Sequence, residues 1–396
     1  MSPMFNHLKI GLKGYDPLQD SYHNGLHIHV ELKPALEPKR CPYCQCSRLL
    51  SKGRYQRKVR HLDCFREPST LVVHTRRFLC SACSRSFLPE LPGIRPGRQS
   101  SELFRQSIYE LHHQGVCART IAQKQAIGEA TVERIYQQFT CRKAAERIDL
   151  KCPQYLGIDE HTLHKGQRFC TTFCDLKNHR IFDVQPGRSE AELHDFLCKL
   201  KEKDRVRVVC IDLSSPYRRL IQMHFPNAQI VADRFHVVRI LNYHFLQLAR
   251  LLAPTLKSNR GYLAAMRKAP ERLSSKQKQR LDELFETHPV LQPIYQQMHQ
   301  LREIMNSKHQ TKKQCRQRLK DLLQHIKNIA ACQAQPMQTL ARTLSNWLEP
   351  IACMWRFTRN NGITEGFHRK MKLIQRRAYG FKNFNNYRLR VIAQCG

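Results

Sequence analysis

Apolar residues between Val237 and about Trp355 recur at intervals of three and four. Leu291, Ile294, Tyr295, Met298, Leu301 and Met305 form one such series, and Leu319, Leu322, Leu323, Ile326 and Ile329 another. That period is the signature of amphipathic helices, so the stretch predicts a helical bundle. Residues 154–232 follow a different rule. Two mainly apolar runs, Tyr155–Ile158 and Val206–Ile211, read as buried strands, and each ends in a carboxylate, Asp159 or Asp212. Between them, Arg168–Asp175 and His179–Val184 predict a hairpin around Lys177-Asn178, and Ser189 to about Lys201 a helix. A further helix starts near Ser215-Pro216, and Gln229–Ala232 forms a last short strand. Three strands, helix, strand, helix, strand predicts an α/β fold class with a mixed sheet, whose ligand sites collect where strands end.

The N-terminal third is patterned more weakly. His27 to Leu32 alternates as a strand would, within a short arm over residues 1–37. Cysteine-rich, basic, short-stranded sequence follows, until Pro92, Gly93, Pro96 and Gly97 punctuate it. Residues 101–150 predict three helices. Glu102–His113 carries Leu103, Ile108 and Leu111 on one face, then come Arg119–Gln125, the turn Ala126-Ile127-Gly128, and Glu129–Phe139. Helix, tight turn at Gly128, helix is the helix-turn-helix layout, with the last helix offered to a major groove.

Charge then narrows the function. Lys and Arg number 67 against 32 acids, a formal net charge of +35. A compact chain this basic repels itself unless it meets a polyanion, and its cations spread along the whole length, which favours nucleic acid over a membrane surface. No apolar run is long enough to span a bilayer, and Met1–Leu8 lacks the pattern of a signal peptide, so a cytoplasmic protein is expected. In such a chain the 17 cysteines point to metal ligation and buried thiols rather than disulfides.

Cys41-Pro-Tyr-Cys44 and Cys80-Ser-Ala-Cys83 are two CxxC knuckles. Each turn aims two sulfurs at one centre, and a pair of turns completes a tetrahedral thiolate site suited to zinc. Strands around Leu49–Arg57 and Leu71–Phe78 would bring the knuckles together, while Cys46, Cys64, His61 and His74 remain alternative ligands. Between Arg48 and Arg77 there are nine Lys/Arg residues and two acids, so a DNA-contacting module is expected, with Arg57, Lys58 and Arg60 among its cations. Arg134 on the last helix of the triplet is a further DNA-binding candidate.

The strand-terminal aspartates suit Mg²⁺ or Mn²⁺, because hard carboxylate oxygens leave coordination positions open for water and phosphate. Ser215 before Pro216 supplies an N-cap of its own, which frees Asp212 from capping; at the first strand, Glu160 competes with Asp159 for the role. From Arg356 to Arg390 there are ten Lys/Arg residues and a single acid, Glu365. On a helix starting near Thr364, Phe367, Met371, Ile374 and Ala378 make the apolar stripe. Glu365 falls on the opposite, basic face with His368, Arg369, Lys372 and Arg376. The plain alternative for Glu365 is a surface pair with Arg369; a metal ligand framed by phosphate-binding cations accounts for more of the pattern.

With these residues in place, the chain resembles the ISL3 family of bacterial insertion-sequence transposases. The likeness runs through the cysteine knuckles, the helix-turn-helix, Gly157-Ile158-Asp159-Glu160 and Asp212-Leu-Ser-Ser-Pro-Tyr217. It continues through Asp233-Arg-Phe-His236-Val237, Asn361-Gly362-Ile363-Thr364-Glu365-Gly366 and the tail Arg377 to Phe384. The resemblance implies a DDE enzyme with an RNase H-like core, its acids at Asp159, Asp212 and Glu365, and two-metal cleavage and strand transfer of DNA at terminal inverted repeats. Asp233 and His236 match an accessory D-x-x-H signature found after the second acid in several DDE groups. Partners implied are double-stranded DNA, both transposon ends and target, and a second copy of the chain in a homodimer or larger assembly, at the bacterial nucleoid. The expected organisation is an arm (1–37), a zinc-binding domain (38–97), a helix-turn-helix domain (98–150), and a catalytic core in two parts (151–236 and 356–396) around a helical insertion (237–355). A non-enzymatic zinc-containing regulator on an RNase H-like scaffold is the rival reading. Trp347 and Trp355 are expected to pack inside the insertion rather than stack on bases.

Overall fold

The computed structural model describes residues 11–18, 22–23, 27–64, 66–164, 168–357 and 362–396. Asn361, part of the block before Glu365, lies outside them. The chain divides into two compact units, Met1–Arg142 and Lys143–Gly396.

In the first unit, β4 (Leu49–Cys64) and β5 (Glu67–Cys80) form a long antiparallel hairpin, with β1 (Tyr15–Pro17), β2 (Tyr22–His23) and β3 (Ile28–Pro34) ahead of it and β6 (Ser86–Phe87) after it. The sheet runs β1-β3-β5-β4, with β3 parallel to β5, so the weakly alternating segment is an interior strand. Its alternation buries Val30 and Leu32 against Val59, Leu71 and Val73. Both hairpin strands extend past the expected Leu49–Arg57 and Leu71–Phe78, because cross-strand pairing carries exposed residues that single-strand propensity leaves undecided.

Three helices follow: α1 (Glu102–Gln114), α2 (Ala118–Gln125) and α3 (Glu129–Arg147), whose last residues, from Lys143, belong to the second unit. Ser101 caps α1, and Gly115 ends it in the left-handed conformation. The turn after α2 differs from expectation: Ala126, not Gly128, takes the left-handed φ of 50°. Helix α3 also runs on past Phe139, since Cys141 to Arg147 holds no Gly or Pro to stop it.

The second unit is built on a five-stranded sheet ordered β11-β10-β7-β8-β9. Its strands are β7 (Tyr155–His164), β8 (Arg168–Asp175), β9 (Arg180–Pro186), β10 (Val208–Ile211) and β11 (Gln229–Ala232). The β7-β8-β9 meander is antiparallel, whereas β10 runs parallel to both β7 and β11. At the expected hairpin, Asp175 Oδ1 accepts the amides of Lys177 and Asn178 (both 3.1 Å), and His179 takes φ 53°. Helices α4 (Glu190–Lys199) and α5 (Ser215–His224) link the strands as the pattern indicated. The N-cap of α5 is Ser214, not Ser215, and its hydroxyl makes no capping bond; Pro216 still sits in the first turn.

Helix α6 (Arg234–Leu252) leaves the sheet and opens the insertion. It is followed by α7 (Arg260–Arg267), α8 (Ser275–Thr287), α9 (Leu291–Asn306), α10 (Lys312–Ala330), α11 (Gln335–Asn346) and α12 (Leu348–Arg356). Far from packing only on themselves, these helices share one continuous core with the sheet, from Leu156 and Ile158 through Phe245 and Met298 to Trp347 and Trp355. Both tryptophans are buried there, as expected. The other face of β8 and β9 is covered by α13 (Gly362–Arg377) and α14 (Phe384–Cys395), through Cys170, Val184, Met371, Ile374, Tyr387 and Val391. No helix among the described residues is long and apolar enough to cross a membrane.

Candidate active site and metal centre

The knuckles meet at the base of the β4-β5 hairpin, where Leu49 pairs with Cys80. Each CxxC ends in a left-handed residue, Gln45 or Ser84, whose amide donates back to the carbonyl of Cys41 or Cys80 (3.0 and 2.9 Å). Two like turns thus face one another. Cys41 Sγ lies 3.7 Å from Cys83 Sγ and Cys44 Sγ 3.6 Å from Cys80 Sγ, and all four sulfurs lie within 4.8 Å of one another. Burial pushes the Cys41 thiol up, but the amides of Cys44 and Tyr43 outweigh it and bring it down to about 7. The Cys83 amide likewise lowers Cys80. Cys44 accepts the Cys46 amide, which favours its thiolate, yet the three crowding sulfurs raise it to about 12. Four thiols this close cannot all ionise without a cation among them, and soft sulfur in a tetrahedral set selects zinc. The alternative ligands stay outside: His61 bonds Ser101 Oγ (2.7 Å), His74 pairs with Glu31, Cys64 is at the hairpin's far end, and Cys46 Sγ accepts from the Arg48 amide.

The acids of the second unit converge by strand register. Cys210 is level with Gly157 on β7, and Ile211 with Ala232 on β11. Carried forward, the registers set Asp159, Asp212 and Asp233 side by side across three parallel strands. Asp159 is buried, 8% exposed, and accepts the Glu160 amide (2.8 Å). Burial raises its carboxyl to about 7; the His236 charge opposes this, while Asp212 and Asp233 add to it. Asp212 is raised too, first by burial, and its Oδ1 is buried without a hydrogen-bond partner. Beside Asp212 opens a groove of about 430 Å³ lined by Glu160, Arg188, Tyr217 and Arg219.

Asp233 caps α6 and accepts from His236 Nδ1 at 2.7 Å. Burial lowers the His236 pKa, but the bond to Asp233 and the charges of Asp233 and Asp159 outweigh it and raise it. Arg234, next in sequence, is buried and donates to the carbonyls of Met305, Ser307 and Met354, tying the ends of α9 and α12 to this corner.

Helix α13 brings a residue other than the expected one against Asp159. His368, assigned by pattern to the exposed basic face, turns inward, with Nδ1 3.8 Å from Asp159 Oδ2 and Nε2 3.2 Å from Thr172 Oγ1. Thr172 is opposite Asp159 on β8 and also meets His161 Nδ1 (3.0 Å), whose Nε2 reaches Tyr387 Oη on α14 (2.9 Å). Glu365 is exposed one turn earlier on α13 and pairs with Arg369 at 3.1 Å. Among the described residues, only the four cysteines form a close ligand cluster; Asp159, Asp212 and Glu365 do not close into one. Lys372 and Arg376 are exposed.

Two cations of the first unit depart from expectation. The Arg57 guanidinium donates to the carbonyls of Arg95 and Arg98 (2.7 Å each). Arg60 donates to the carbonyls of His61 and Ser69 and pairs with Asp63 (2.6 Å), over the Phe104 ring. Both therefore build the unit rather than present a free charge. Lys58 and Arg134 are exposed. The parts sequence reasoning missed, His161, Thr172, Tyr387 and Arg234, are polar side chains on packed surfaces. Only His161, two residues beyond Asp159 on the same strand face, carried a readable signal.

Asp159, Asp212 and Asp233, level across parallel strands in one unit, and a four-cysteine zinc site in the other fit a known class of protein. A family model described as a transposase, of the ISL3 type, matches residues 156–391, and one described as the zinc-finger of transposase IS204/IS1001/IS1096/IS1165 matches residues 37–83. The chain belongs to the ISL3 family of transposases. It is similar to the transposase for insertion sequence element IS1001 of Bordetella parapertussis, 27% identical over 384 residues, which is 93% of this chain and 92% of that protein.

Proposed function

We propose that this insertion-sequence transposase cuts DNA at the ends of its element and joins the freed 3′-hydroxyl to target DNA, with Asp159, Asp212 and Glu365 as the acids of one metal-dependent site. The observation that carries the reading is that buried Asp159, within β7, and half-buried Asp212, just past β10, stand level on adjacent parallel strands, with the buried Asp212 Oδ1 left unpartnered. A buried carboxylate oxygen with no donor, beside a second carboxyl strained by burial, fits a hard divalent cation, Mg²⁺ or Mn²⁺. When bound, such ions supply Lewis-acid stabilisation and an activated water. Asp159 and Asp212 would hold them, and Glu365 would join on leaving Arg369. Arg188 and Arg219 at the groove and Lys372 and Arg376 on α13 bind phosphates. Asp233 orients His236, which keeps a proton beside the carboxylates.

Strand order β11-β10-β7-β8-β9, with its mixture of directions, supports an RNase H-like core over residues 151–236 and 356–396, interrupted by the insertion at 237–355. Helices α2 and α3 support a helix-turn-helix, which with the zinc ribbon would read terminal inverted repeats in double-stranded DNA at the bacterial nucleoid. Because two ends are joined to one target, the working form is a dimer or larger. The test is Mg²⁺-dependent cleavage and joining of end-sequence duplex by wild type, Asp159→Asn and Glu365→Gln. Products from wild type and at least a thousandfold loss in both variants are expected. Wild-type binding without strand scission would return the protein to the regulator reading.

A further inference from the structure

We propose that the exposed face of α10 is a docking surface for the phosphate backbone of duplex DNA, separate from the zinc ribbon and the helical triplet. The inference takes its partner from the transposase reading and adds to it a place in the insertion that holds DNA irrespective of sequence. Residues 308–327 contain seven Lys/Arg and one acid, Asp321. At 100° per residue, Lys313, Arg316, Lys320 and Lys327 fall within an arc of about 60° on α10. Leu322, Ile326 and Ile329 lie nearly opposite, buried in the shared core, so packing fixes the direction in which the cations point. All four are exposed, and among the described residues none of them has a carboxylate within ion-pair distance. Asp321 stands off the stripe and takes the Gln317 amide (3.4 Å).

An ordinary solvated helix face mixes signs at i,i+4, as α8 does with Lys276, Lys278 and Arg280 against Asp282, Glu283 and Glu286. Helix α10 lacks that mixture. Its cations repel one another in the free protein, and the repulsion is relieved by a polyanion of matching length. Lys313 to Lys327 spans about 21 Å, the rise of roughly six base pairs. Contacts of this kind position a duplex and carry no sequence information.

The test uses the full-length, zinc-loaded chain with Lys313→Gln, Arg316→Gln, Lys320→Gln and Lys327→Gln combined. Binding to a random duplex and to an end-sequence duplex is followed by fluorescence anisotropy across a salt series. At roughly 0.9 per phosphate, the slope of log K against log salt should become shallower by about 3 to 4, with the same fold loss of affinity on both duplexes. A control removing four exposed cations from the same insertion (Lys257→Gln, Arg272→Gln, Lys276→Gln and Lys278→Gln) should change the slope by less than about 1. An unchanged slope in the α10 variant, or an equal change in the control, overturns the proposal while leaving the transposase reading intact. Failure of wild type to bind any duplex at low salt would instead remove that reading, and the α10 surface with it. None of the substituted side chains is buried, so matching unfolding midpoints verify the fold.

Discussion

His368 of α13 stands 3.8 Å from Asp159 of β7, Nδ1 to Oδ2, and hydrogen-bonds Thr172 through its other nitrogen. The helix that carries Glu365 is thereby registered against the strand that carries Asp159. Burial holds His368 down to about 4 and His161 to about 3, with neighbouring cationic side chains adding to the effect, so both rings are neutral at physiological pH. An imidazole whose folded pKa lies below its unfolded value near 6.5 contributes fully above that value. The contribution is lost as pH falls from about 6.5 toward the folded value. Urea midpoints of the second unit should fall steeply between pH 6.5 and 4.5, by up to about 1.4 kcal/mol per pH unit for each ring. His368→Asn, which keeps a donor for Thr172 and cannot titrate, should flatten that slope. A slope identical to wild type would show that His368 is not buried neutral.

Asp159 behaves in the opposite sense. Its carboxyl is raised to about 7, so without metal the charged form is disfavoured and stability declines as pH rises from about 4 to 7. Asp159→Asn should therefore stabilise the metal-free protein by roughly 2–4 kcal/mol at pH 8, following about 1.4 kcal/mol per pKa unit, and by little at pH 4. Mg²⁺ or Mn²⁺ should raise the unfolding temperature of wild type and leave the variant unmoved. Equal metal response in both would sever Asp159 from the metal.

At the zinc ribbon, Cys44→Ser should remove the metal, about one ion per chain by elemental analysis, and expose the 37–83 segment to protease. Cys46→Ser and Cys64→Ser should retain it, because neither sulfur belongs to the four-thiol cluster. Zinc loss in Cys46→Ser with retention in Cys44→Ser would reassign the ligands.

Arg60 and Lys58 should separate stability from DNA affinity. Arg60→Ala breaks bonds to two carbonyls and Asp63 and should cost about 2–3 kcal/mol in the first unit. Lys58→Ala should leave the unfolding midpoint within about 0.5 kcal/mol while lowering the salt slope of duplex binding by about 1. The reverse pattern, a stable Arg60→Ala and an unstable Lys58→Ala, would contradict the contacts described.

Much of this was legible before the fold, for definite reasons. Metal knuckles are local, and the apolar run before Asp212 does end a strand there, whereas β7 was expected to end at Asp159 and instead runs on to His164, because pairing with β8 carries its polar residues. What escaped depended on surfaces meeting. His368 lies 100° from Phe367 on α13, at the edge of the apolar stripe. It turns inward because the sheet patch beneath it, Asp159 and Thr172, is itself polar. Arg57 and Arg60 read as free cations because nothing near them in sequence reveals the carbonyls of Arg95, Arg98 and Ser69 that they reach. The left-handed turn fell on Ala126 because the ends of α2 and α3 set it, whereas composition favoured Gly128.

The face of the sheet that bears Asp159 is closed by α13 and α14, which leave the ribosome after every other element of the described fold. A polypeptide halted near Arg356 would already own its cysteine-bound module and the helical triplet, but neither His368 nor Glu365. Such an unfinished product is expected to occupy element ends without cutting them, so interrupted translation would yield an inhibitor of the finished enzyme from the same message.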